Sequence, residues 1–300
     1  MGVYVWWVSL ASIGILNIAA WVFTARKVWR LETSEPSMSE GTSEDRQRRT
    51  SRRAQLLLSA AFVFVCALRS ILPRADVQRI CLYDSWWSSV ALGRSAATIA
   101  ELCFVAQWAL WLRDATRNAD APFAAAVSRV LLPLIATAEL FSWYATLTTA
   151  YIGNAIEESL WAVAATLATL AVLSIRSRVS EPHQRFLRSA IGMGVGYVLF
   201  MCTVDVPMYV SRWFTDQAAA RPYFSLTAGM ADVGQRWVVT HSWADWNTEM
   251  AWMTLYFSAA VWASLALVLA PRLGALAPRE TARLGTRLTR WLRVDRSTAR

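Results

Sequence analysis

The chain has 300 residues, of which 56% are hydrophobic and 17% are charged, and it contains 17 tryptophans. A soluble domain carries nearer to a quarter of charged residues, so this composition excludes a soluble enzyme core and indicates a membrane protein. The formal net charge is +9. Because most basic residues flank apolar segments, where anionic lipid head groups attract them, the charge does not indicate a nucleic-acid partner.

Seven apolar segments follow one another along the chain, and each is about 19 to 24 residues long, enough to cross a hydrocarbon core of roughly 30 Å as a helix. They are Val3–Ala25, Ala54–Leu72, Leu92–Leu112, Phe123–Thr146, Ala155–Ile175, Ser189–Tyr209 and Met250–Ala270. The segments are too long and too evenly apolar for barrel strands, so we predict an all-α polytopic membrane bundle of seven transmembrane helices. We expect the first segment to be retained as an anchor, because its basic cluster follows it instead of preceding it.

The basic residues predict the orientation of the bundle. Of the 30 lysines and arginines, 22 lie in connections 24–53, 113–122 and 176–188 and in the tail 271–300. Only five lie in connections 73–91, 147–154 and 210–249, and three lie inside spans. Cytoplasmic loops retain basic residues, so we predict that the N-terminus is outside and the C-terminus is inside. The arginine- and alanine-rich composition favours a bacterial inner membrane.

Residues 1–270 form the predicted membrane domain, which contains two unusual connections. Segment 32–53 is rich in Ser, Thr, Glu and Arg, a composition that predicts a disordered cytoplasmic linker. Segment 210–249 is long and aromatic, so we predict an outer cap between the sixth and seventh helices, with a short helix near Met230–Thr240. Residues 271–300 combine one apolar helical face with flanking arginines, which predicts a basic amphipathic cytoplasmic tail.

Ionisable residues inside the spans are the strongest functional signal, because a charge in the bilayer is costly and is usually kept for function or pairing. Arg94 and Glu101 are seven residues apart on the third span and share a face, as do Glu139 and Trp143 on the fourth. Similar stripes are Asn154, Glu157, Glu158 and Trp161 on the fifth span, Asp205, Tyr209 and Arg212 on the sixth, and Asp245, Glu249, Trp252 and Tyr256 on the seventh. All the stripes fall in the outer half of the bundle. We therefore predict that they converge on one cavity lined by carboxylates and aromatic rings.

The acidic residues of these stripes outnumber the arginines. If Arg69, Arg94 and Arg212 pair with Glu101, Glu139 and Asp205, other carboxyls remain unpaired. A carboxyl buried without a counter-charge holds its proton near neutral pH and can serve as a general acid. The candidate catalytic residues are Glu101, Glu139, Glu157, Glu158 and Asp205. The candidate substrate-binding residues are Arg94 and Arg212 as clamps, Trp143, Trp161 and Trp252 as walls, and Tyr209 and His241.

Several kinds of cofactor chemistry are excluded by residue type. The only lysine, Lys27, follows the first span, so a retinal Schiff base in the last span is impossible. His183 and His241 both lie in connections, which excludes a haem held between span histidines. Carboxylates of the stripes together with His241 could in principle form a mixed oxygen and nitrogen metal shell. That signal is weak, and we predict neither a metal nor another cofactor.

Three functions remain open at this point. The pattern favours an enzyme that performs general acid–base chemistry on a lipid or isoprenoid amphiphile reaching it from the membrane. The alternatives are a proton- or cation-coupled transporter or channel, and a non-catalytic binding or assembly protein whose ion pairs are structural. The inner halves of the spans contain few polar residues, which argues against a transport route. Membrane lipids and an amphiphilic substrate are the expected partners, and the sequence does not indicate an oligomeric state.

Overall fold

A computed structural model describes residues 2–33, 42–117, 120–179, 181–235 and 237–270. Within these ranges seven helices are long and apolar enough to cross a membrane, which confirms the predicted helical bundle. Spans 1 to 5 are single helices: α1 (Val3–Thr33), α2 (Ser43–Ile71), α3 (Val90–Thr116), α4 (Pro122–Thr148) and α5 (Tyr151–Arg176).

Spans 6 and 7 are each interrupted by one π-helical turn. Span 6 comprises α6 (Glu181–Phe200), the π turn Met201–Asp205 and α7 (Val206–Ala218). The short helix α8 (Leu226–Asp232) follows, and span 7 comprises α9 (Trp243–Leu255), the π turn Tyr256–Ala260 and α10 (Val261–Val268). Pro207 accounts for the first interruption, because it has no N–H to donate to the carbonyl of Thr203.

A small cap covers one end of the bundle. Three two-residue strands, β1 (Arg74–Ala75), β2 (Ile80–Cys81) and β3 (Val238–Val239), form a sheet in the order β1-β2-β3. Strand β2 pairs antiparallel with β1 and parallel with β3. We call the end that carries this sheet and α8 the cap end, and the opposite end, where α1 and α5 finish, the basic end. Strands of two residues are too short to produce an alternating pattern, so the sequence does not predict this sheet.

The cap differs from the prediction in the position of its helix. The helix lies at Leu226–Asp232 and not at Met230–Thr240, because Ser225 caps it by accepting a hydrogen bond from the backbone N–H of Ala228. Span 6 also continues to Ala218, so the connection to span 7 is shorter than 210–249.

Part of the predicted disordered linker is helical. Residues 43–53 form the first turns of α2, which begins with a capping box between Thr42 and Asp45. Arg53 then forms an ion pair with Glu32 at the end of α1. Low hydrophobicity alone led to the prediction of disorder, whereas capping and the neighbouring helix stabilise the structure. Residues 34–41 and the predicted amphipathic tail 271–300 lie outside the described residues.

Consecutive spans pack on one another from 1 to 6, and span 7 packs on spans 1, 2 and 3. Spans 4 and 5 approach each other closely through their backbones. A Cβ atom at Gly153 would lie 2.7 Å from the carbonyl oxygen of Phe141 and 2.8 Å from the Cβ of Ala145. Small residues at helix interfaces permit this approach, which supplies van der Waals attraction within a bilayer. The turn before it, at Thr149, has a positive φ of 60°.

The approach at Gly153 can be tested by adding one methyl group. We expect Gly153→Ala to lower the free energy of unfolding by about 1 to 3 kcal/mol, because the backbone carbonyl of Phe141 cannot move aside without separating the helices. Gly192→Ala is the control, since a Cβ at Gly192 meets no atom within 4 Å. Thermal unfolding in detergent is the measurement, and equal stability of the two variants would contradict close packing at Gly153.

Candidate functional site

A cavity of about 440 Å³ lies between spans 3, 5, 6 and 7 and has two parts of different polarity. The part near the cap end is lined by ionisable side chains, and we call it the head compartment: Arg94, Glu101, Glu157, Glu158, Asp205 and Glu249. The part toward the basic end is apolar, and we call it the slot: Phe104, Trp108, Ala168, Val172, Met193 and Gly196. On span 5, the lining residues Glu158 and Val172 lie roughly 20 Å apart along the helix axis, at 1.5 Å per residue.

Arg94 is the centre of the ion pairs in the head compartment. Its Nη2 donates to Glu101 Oε2 at 3.2 Å and to Glu139 Oε2 at 3.0 Å. Its Nη1 lies 3.9 Å from Glu157 Oε1. One guanidinium on span 3 thus contacts carboxylates on spans 3, 4 and 5, as the predicted stripes require. All three carboxylates are buried, so each depends on this charge for compensation.

Neutral donors complete the Arg94 cluster. The hydroxyl of Thr98 donates to Glu139 Oε2 at 2.6 Å, and the indole of Trp143 donates to Thr98 at 3.2 Å. The hydroxyl of Tyr256 donates to Glu101 Oε1 at 3.2 Å, which connects span 7 to the same network. Trp143 therefore supports the cluster from behind and is not among the residues that line the cavity.

The same three carboxylates are spaced as metal ligands could be. One oxygen from each of Glu101, Glu139 and Glu157 lies within 4.8 Å of the others. Arg94, however, already supplies positive charge to all three, so a metal ion there would have to displace its guanidinium. His241 does not join this group: its Nε2 lies 3.0 Å from the carbonyl oxygen of Leu82, and its ring packs against Tyr4. The mixed shell considered from the sequence is thus not assembled around His241.

Two acids of the head compartment differ from the Arg94 cluster. Glu158 is half-buried and Asp205 is 5% exposed, and both line the cavity. Among the described residues, no hydrogen-bond donor or ion-pair partner contacts either carboxyl. Glu157, beside them, accepts a hydrogen bond from Asn154 at 3.1 Å. Glu158 and Asp205 are therefore the carboxyls that remain available to a ligand.

Arg212 pairs with Glu249 and not with Asp205. Its Nη2 donates to Glu249 Oε1 at 2.8 Å, and its guanidinium lies over the rings of Tyr151 and Tyr209. The indole of Trp252 donates to the other oxygen of Glu249 at 2.6 Å. This pair joins spans 6 and 7 at the cap end. Arg212 is thus engaged beside the cavity and is not one of its lining residues.

Residues 74–78 form a roof over the head compartment. Arg74 is 3% exposed; it lies 3.3 Å from Asp76 and donates to the carbonyl oxygens of Trp87 and Ser89. A Cβ at Gly93 would fall 1.1 Å from Arg74 Cζ, so the guanidinium fits only because residue 93 is glycine. We did not predict this roof from the sequence, although the charged residues of Arg74-Ala75-Asp76 directly after span 2 are a signal for it.

Arg79 fastens the roof to the rest of the cap. It has a positive φ of 56° and forms an ion pair with Asp232 of α8 at 2.8 Å. It also donates to the backbone carbonyl oxygens of Asp76 and Thr146, both at 2.8 Å. The roof is therefore held to span 4 and to α8, and it separates the head compartment from the cap surface.

The roof residues are strongly coupled by charge. Burial lowers the pKa of Arg74 to about 10; Asp76 opposes this shift, while the charges of Arg69 and Arg94 add to it. For Asp76, burial raises the pKa, but the nearby guanidinium groups, Arg74 foremost, outweigh burial and hold the pKa below its usual value of 3.8. The guanidinium groups of Arg69 and Arg94 thus act on both members of the Arg74 and Asp76 pair at this side of the cavity.

The slot reaches the surface of the bundle between spans 6 and 7. Met193 and Gly196 on span 6 line the cavity and are exposed, and so are Leu255 and Ala259 on span 7. Both π turns also contribute to the wall, through Asp205 on span 6 and Tyr256 on span 7. π turns inside α-helices are frequent at functional sites because they change which residues face a cavity.

The structure brings together most of the residues predicted from the sequence. Those that line the cavity are Arg94, Glu101, Glu157, Glu158, Trp161, Asp205, Tyr209 and Trp252. Glu139 joins them through Arg94, whereas Trp143, Arg212 and His241 lie behind or beside the cavity. Tyr197 on span 6 also lines the cavity, although it is not among the site residues predicted from the sequence.

Comparison of the chain with protein-family models, with curated protein sequences and with solved structures finds no match.

Removing the charge of Arg94 tests whether it compensates the cluster. We expect Arg94→Gln to lower the free energy of unfolding by about 3 to 5 kcal/mol, because buried carboxylates lose their counter-charge. Adding Glu139→Gln should recover part of this loss, since it removes one of the uncompensated charges. Arg113→Gln, at an exposed position near the basic end, is the control. Thermal unfolding in detergent is the measurement, and an Arg94→Gln variant as stable as the control would contradict the role of Arg94.

The pair of Arg74 and Asp76 predicts a pH dependence of stability. Because the pKa of Asp76 is lower in the folded protein, its contribution is fully present above the unfolded-state pKa and is lost as the pH falls below about 4. We expect Asp76→Asn to melt below the wild type at pH 7 and to lose less stability between pH 7 and pH 3. Asp120→Asn, exposed at the basic end, is the control. If the melting temperatures of the wild type and of Asp76→Asn fell by the same amount between pH 7 and pH 3, the prediction would be refuted.

Proposed function

We propose that the protein is an integral membrane enzyme that performs general acid–base chemistry on an amphiphile. The observation that carries the proposal is the cavity, which joins a head compartment containing two unpartnered carboxyls to an apolar slot. An amphiphile has the matching shape, with a polar head near Glu158 and Asp205 and a hydrocarbon chain in the slot. A length of roughly 20 Å suits an acyl or prenyl chain, and the walls are apolar, as ligand sites mostly are.

The chemistry follows from which carboxyls are free. A general acid or base must reach its substrate directly or through one water molecule, and its proton must not be engaged elsewhere. Glu158 and Asp205 meet this condition, and we assign them as the acid–base pair. Glu101, Glu139 and Glu157 support them by fixing Arg94 and the spans around the head compartment. Trp161 and Trp252 supply aromatic walls, which stabilise a positive charge on a bound molecule.

The access route supports a substrate that comes from the membrane. The roof and the pair of Arg212 and Glu249 close the cap end, while the slot meets the surface between spans 6 and 7. From the basic residues we infer that the cap end faces away from the cytoplasm, and from composition that the membrane is a bacterial inner membrane. A lipid could then reach the head compartment without leaving the bilayer.

A transporter is a weaker second candidate. It needs a polar route from the head compartment to the basic end, yet the basic half of spans 3 to 6 holds the apolar cluster of Leu112, Leu131, Ile175 and Leu187. Gln107 also bonds to Gln55 and Ser264, which joins spans 2, 3 and 7 in the same half. A purely structural role explains the Arg94 cluster but gives no reason for Glu158 and Asp205 to line the cavity without partners among the described residues.

Because the substrate is unidentified, the probe is a total bacterial lipid extract. Purified protein in nanodiscs made from this extract is incubated, and its lipids are compared with those of empty nanodiscs by liquid chromatography and mass spectrometry. We expect at least one lipid to be converted, and we expect Glu158→Gln and Asp205→Asn to slow the conversion about 10² to 10⁴-fold. Asp114→Asn, an exposed carboxyl at the basic end that bonds to Ser51, is the matched control.

Two results would contradict the enzymatic proposal. One is an unchanged lipid composition with the wild-type protein, and the other is conversion at the wild-type rate by both Glu158→Gln and Asp205→Asn. Melting temperatures measured on the same samples separate a loss of chemistry from a loss of folding.

A further inference from the structure

We infer that the head compartment accepts a zwitterionic head group, with a phosphate on one side and an ammonium on the other, as in an aminophospholipid. This inference rests on the proposed amphiphile site and names its substrate class. Around the compartment, a guanidinium without an ion-pair partner among the described residues lies on one side, and two carboxyls without one lie on the other.

Unpartnered guanidinium N–H groups lie on the side formed by spans 2 and 3 and the roof. Arg69 is 7% exposed and lines the cavity, its guanidinium lies over Phe257, and no described residue forms an ion pair with it. Guanidinium groups bind phosphate oxygens with strong charge-assisted hydrogen bonds. This side of the compartment therefore has donors left for an anionic group.

Unpartnered carboxyls lie on the side formed by spans 5 and 6. Asp205 is buried, lines the cavity and has no partner among the described residues, and Glu158 resembles it in all but its greater exposure. Asp205 lies close enough for its charge to act on Glu158. An ammonium offers three N–H donors and one positive charge, which suits two such acceptors. Tyr197 and Trp161 line the same region and can contribute aromatic faces.

A purely anionic or purely cationic head would satisfy only one side. A lone phosphate would bind Arg69 but would leave the carboxyl oxygens of Glu158 and Asp205 without a hydrogen-bond donor. A lone ammonium would leave the donors of Arg69 unused. Uncompensated buried charges are costly, so a ligand that carries both charges gains most from this compartment. A bound ammonium also favours ionised Glu158 or Asp205, which makes that residue the base of the proposed pair.

Four lipids with identical oleoyl chains separate these cases. They are phosphatidylethanolamine, phosphatidylglycerol, a cationic lipid whose head group is a primary ammonium, and uncharged diacylglycerol. Full-length protein in detergent is incubated with an equimolar mixture, and the retained lipids are quantified by mass spectrometry. We expect phosphatidylethanolamine to be retained about tenfold or more over each of the others, the effect of one or two hydrogen bonds to charged groups.

Single substitutions test which side chains bind the phosphate and which bind the ammonium of the head group. Arg69→Gln should reduce retention of phosphatidylethanolamine to the level of the cationic lipid, whereas Arg69→Lys, which keeps the charge, should retain the preference. Asp205→Asn and Glu158→Gln should reduce it to the level of phosphatidylglycerol. Equal retention of phosphatidylglycerol and phosphatidylethanolamine by the wild type would overturn the inference, as would a preference that none of these three charge-removing variants alters.

A glycine pair on span 6 separates failure of this inference from failure of the amphiphile site. Gly196 lines the slot and Gly192 does not, and a Cβ at either position meets no atom within 4 Å. We expect Gly196→Leu to lower retention of all four lipids and Gly192→Leu to leave it unchanged. If Gly196→Leu lowers retention while the wild type shows no preference among head groups, only the zwitterion inference fails. If Gly196→Leu changes nothing, the amphiphile site itself is wrong.

Discussion

The cluster around Arg94 is the interaction on which the rest of the bundle depends. One guanidinium compensates buried carboxylates on spans 3, 4 and 5, and Tyr256 extends the network to span 7. In a bilayer, apolar surface does not drive helices together, so packing and polar contacts must determine their register. Moving span 4 or span 5 by one helical turn would separate its carboxylate from the guanidinium of Arg94. The cluster therefore fixes the relative positions of the spans that surround the cavity.

This constraint also explains why the cavity has two kinds of acid. Carboxyls whose partners are fixed by the fold, such as Glu101 and Glu139, have little freedom to exchange protons with a ligand. Glu158 follows Glu157 directly and so points about 100° away around the helix, outside the reach of Arg94. Asp205 lies in a π turn, which shifts the residues after it around the helix axis and leaves the Asp205 carboxyl facing the cavity while Arg212 reaches Glu249. A small change in position around the helix axis thus separates a carboxyl that pairs with Arg94 from one that can contact a ligand.

The sequence predicts well which face of a helix a residue occupies and how deep it lies in the membrane. It predicts less well which residue forms an ion pair with which. Spacing alone placed Arg94 and Glu101 on one face, and the structure confirms their contact. The predicted pairing of Arg212 with Asp205 is wrong, since Arg212 pairs with Glu249. The spacing of apolar residues reveals neither the relative register of spans 6 and 7 nor the π turn between Phe200 and Val206. The roof escaped prediction for a similar reason: the position of Arg74 depends on pairing between β1, β2 and the distant β3, and on the absence of a side chain at Gly93. The start of α2 was missed because a capping box outweighed composition.

The direction from which the cavity is reached constrains its function as much as its charges do. A cap that is fastened by the ion pairs of Arg79 with Asp232 and of Arg212 with Glu249 covers a compartment of buried charges, where electrostatic interactions are stronger than in water. The remaining opening lies between two apolar spans, so a molecule that uses it must already be dissolved in the membrane. Such a molecule would bring its own charge into the compartment as its chain fills the slot. Binding and charge compensation would then occur together, and Glu158 and Asp205 would contact the head of the molecule only after it has left bulk water.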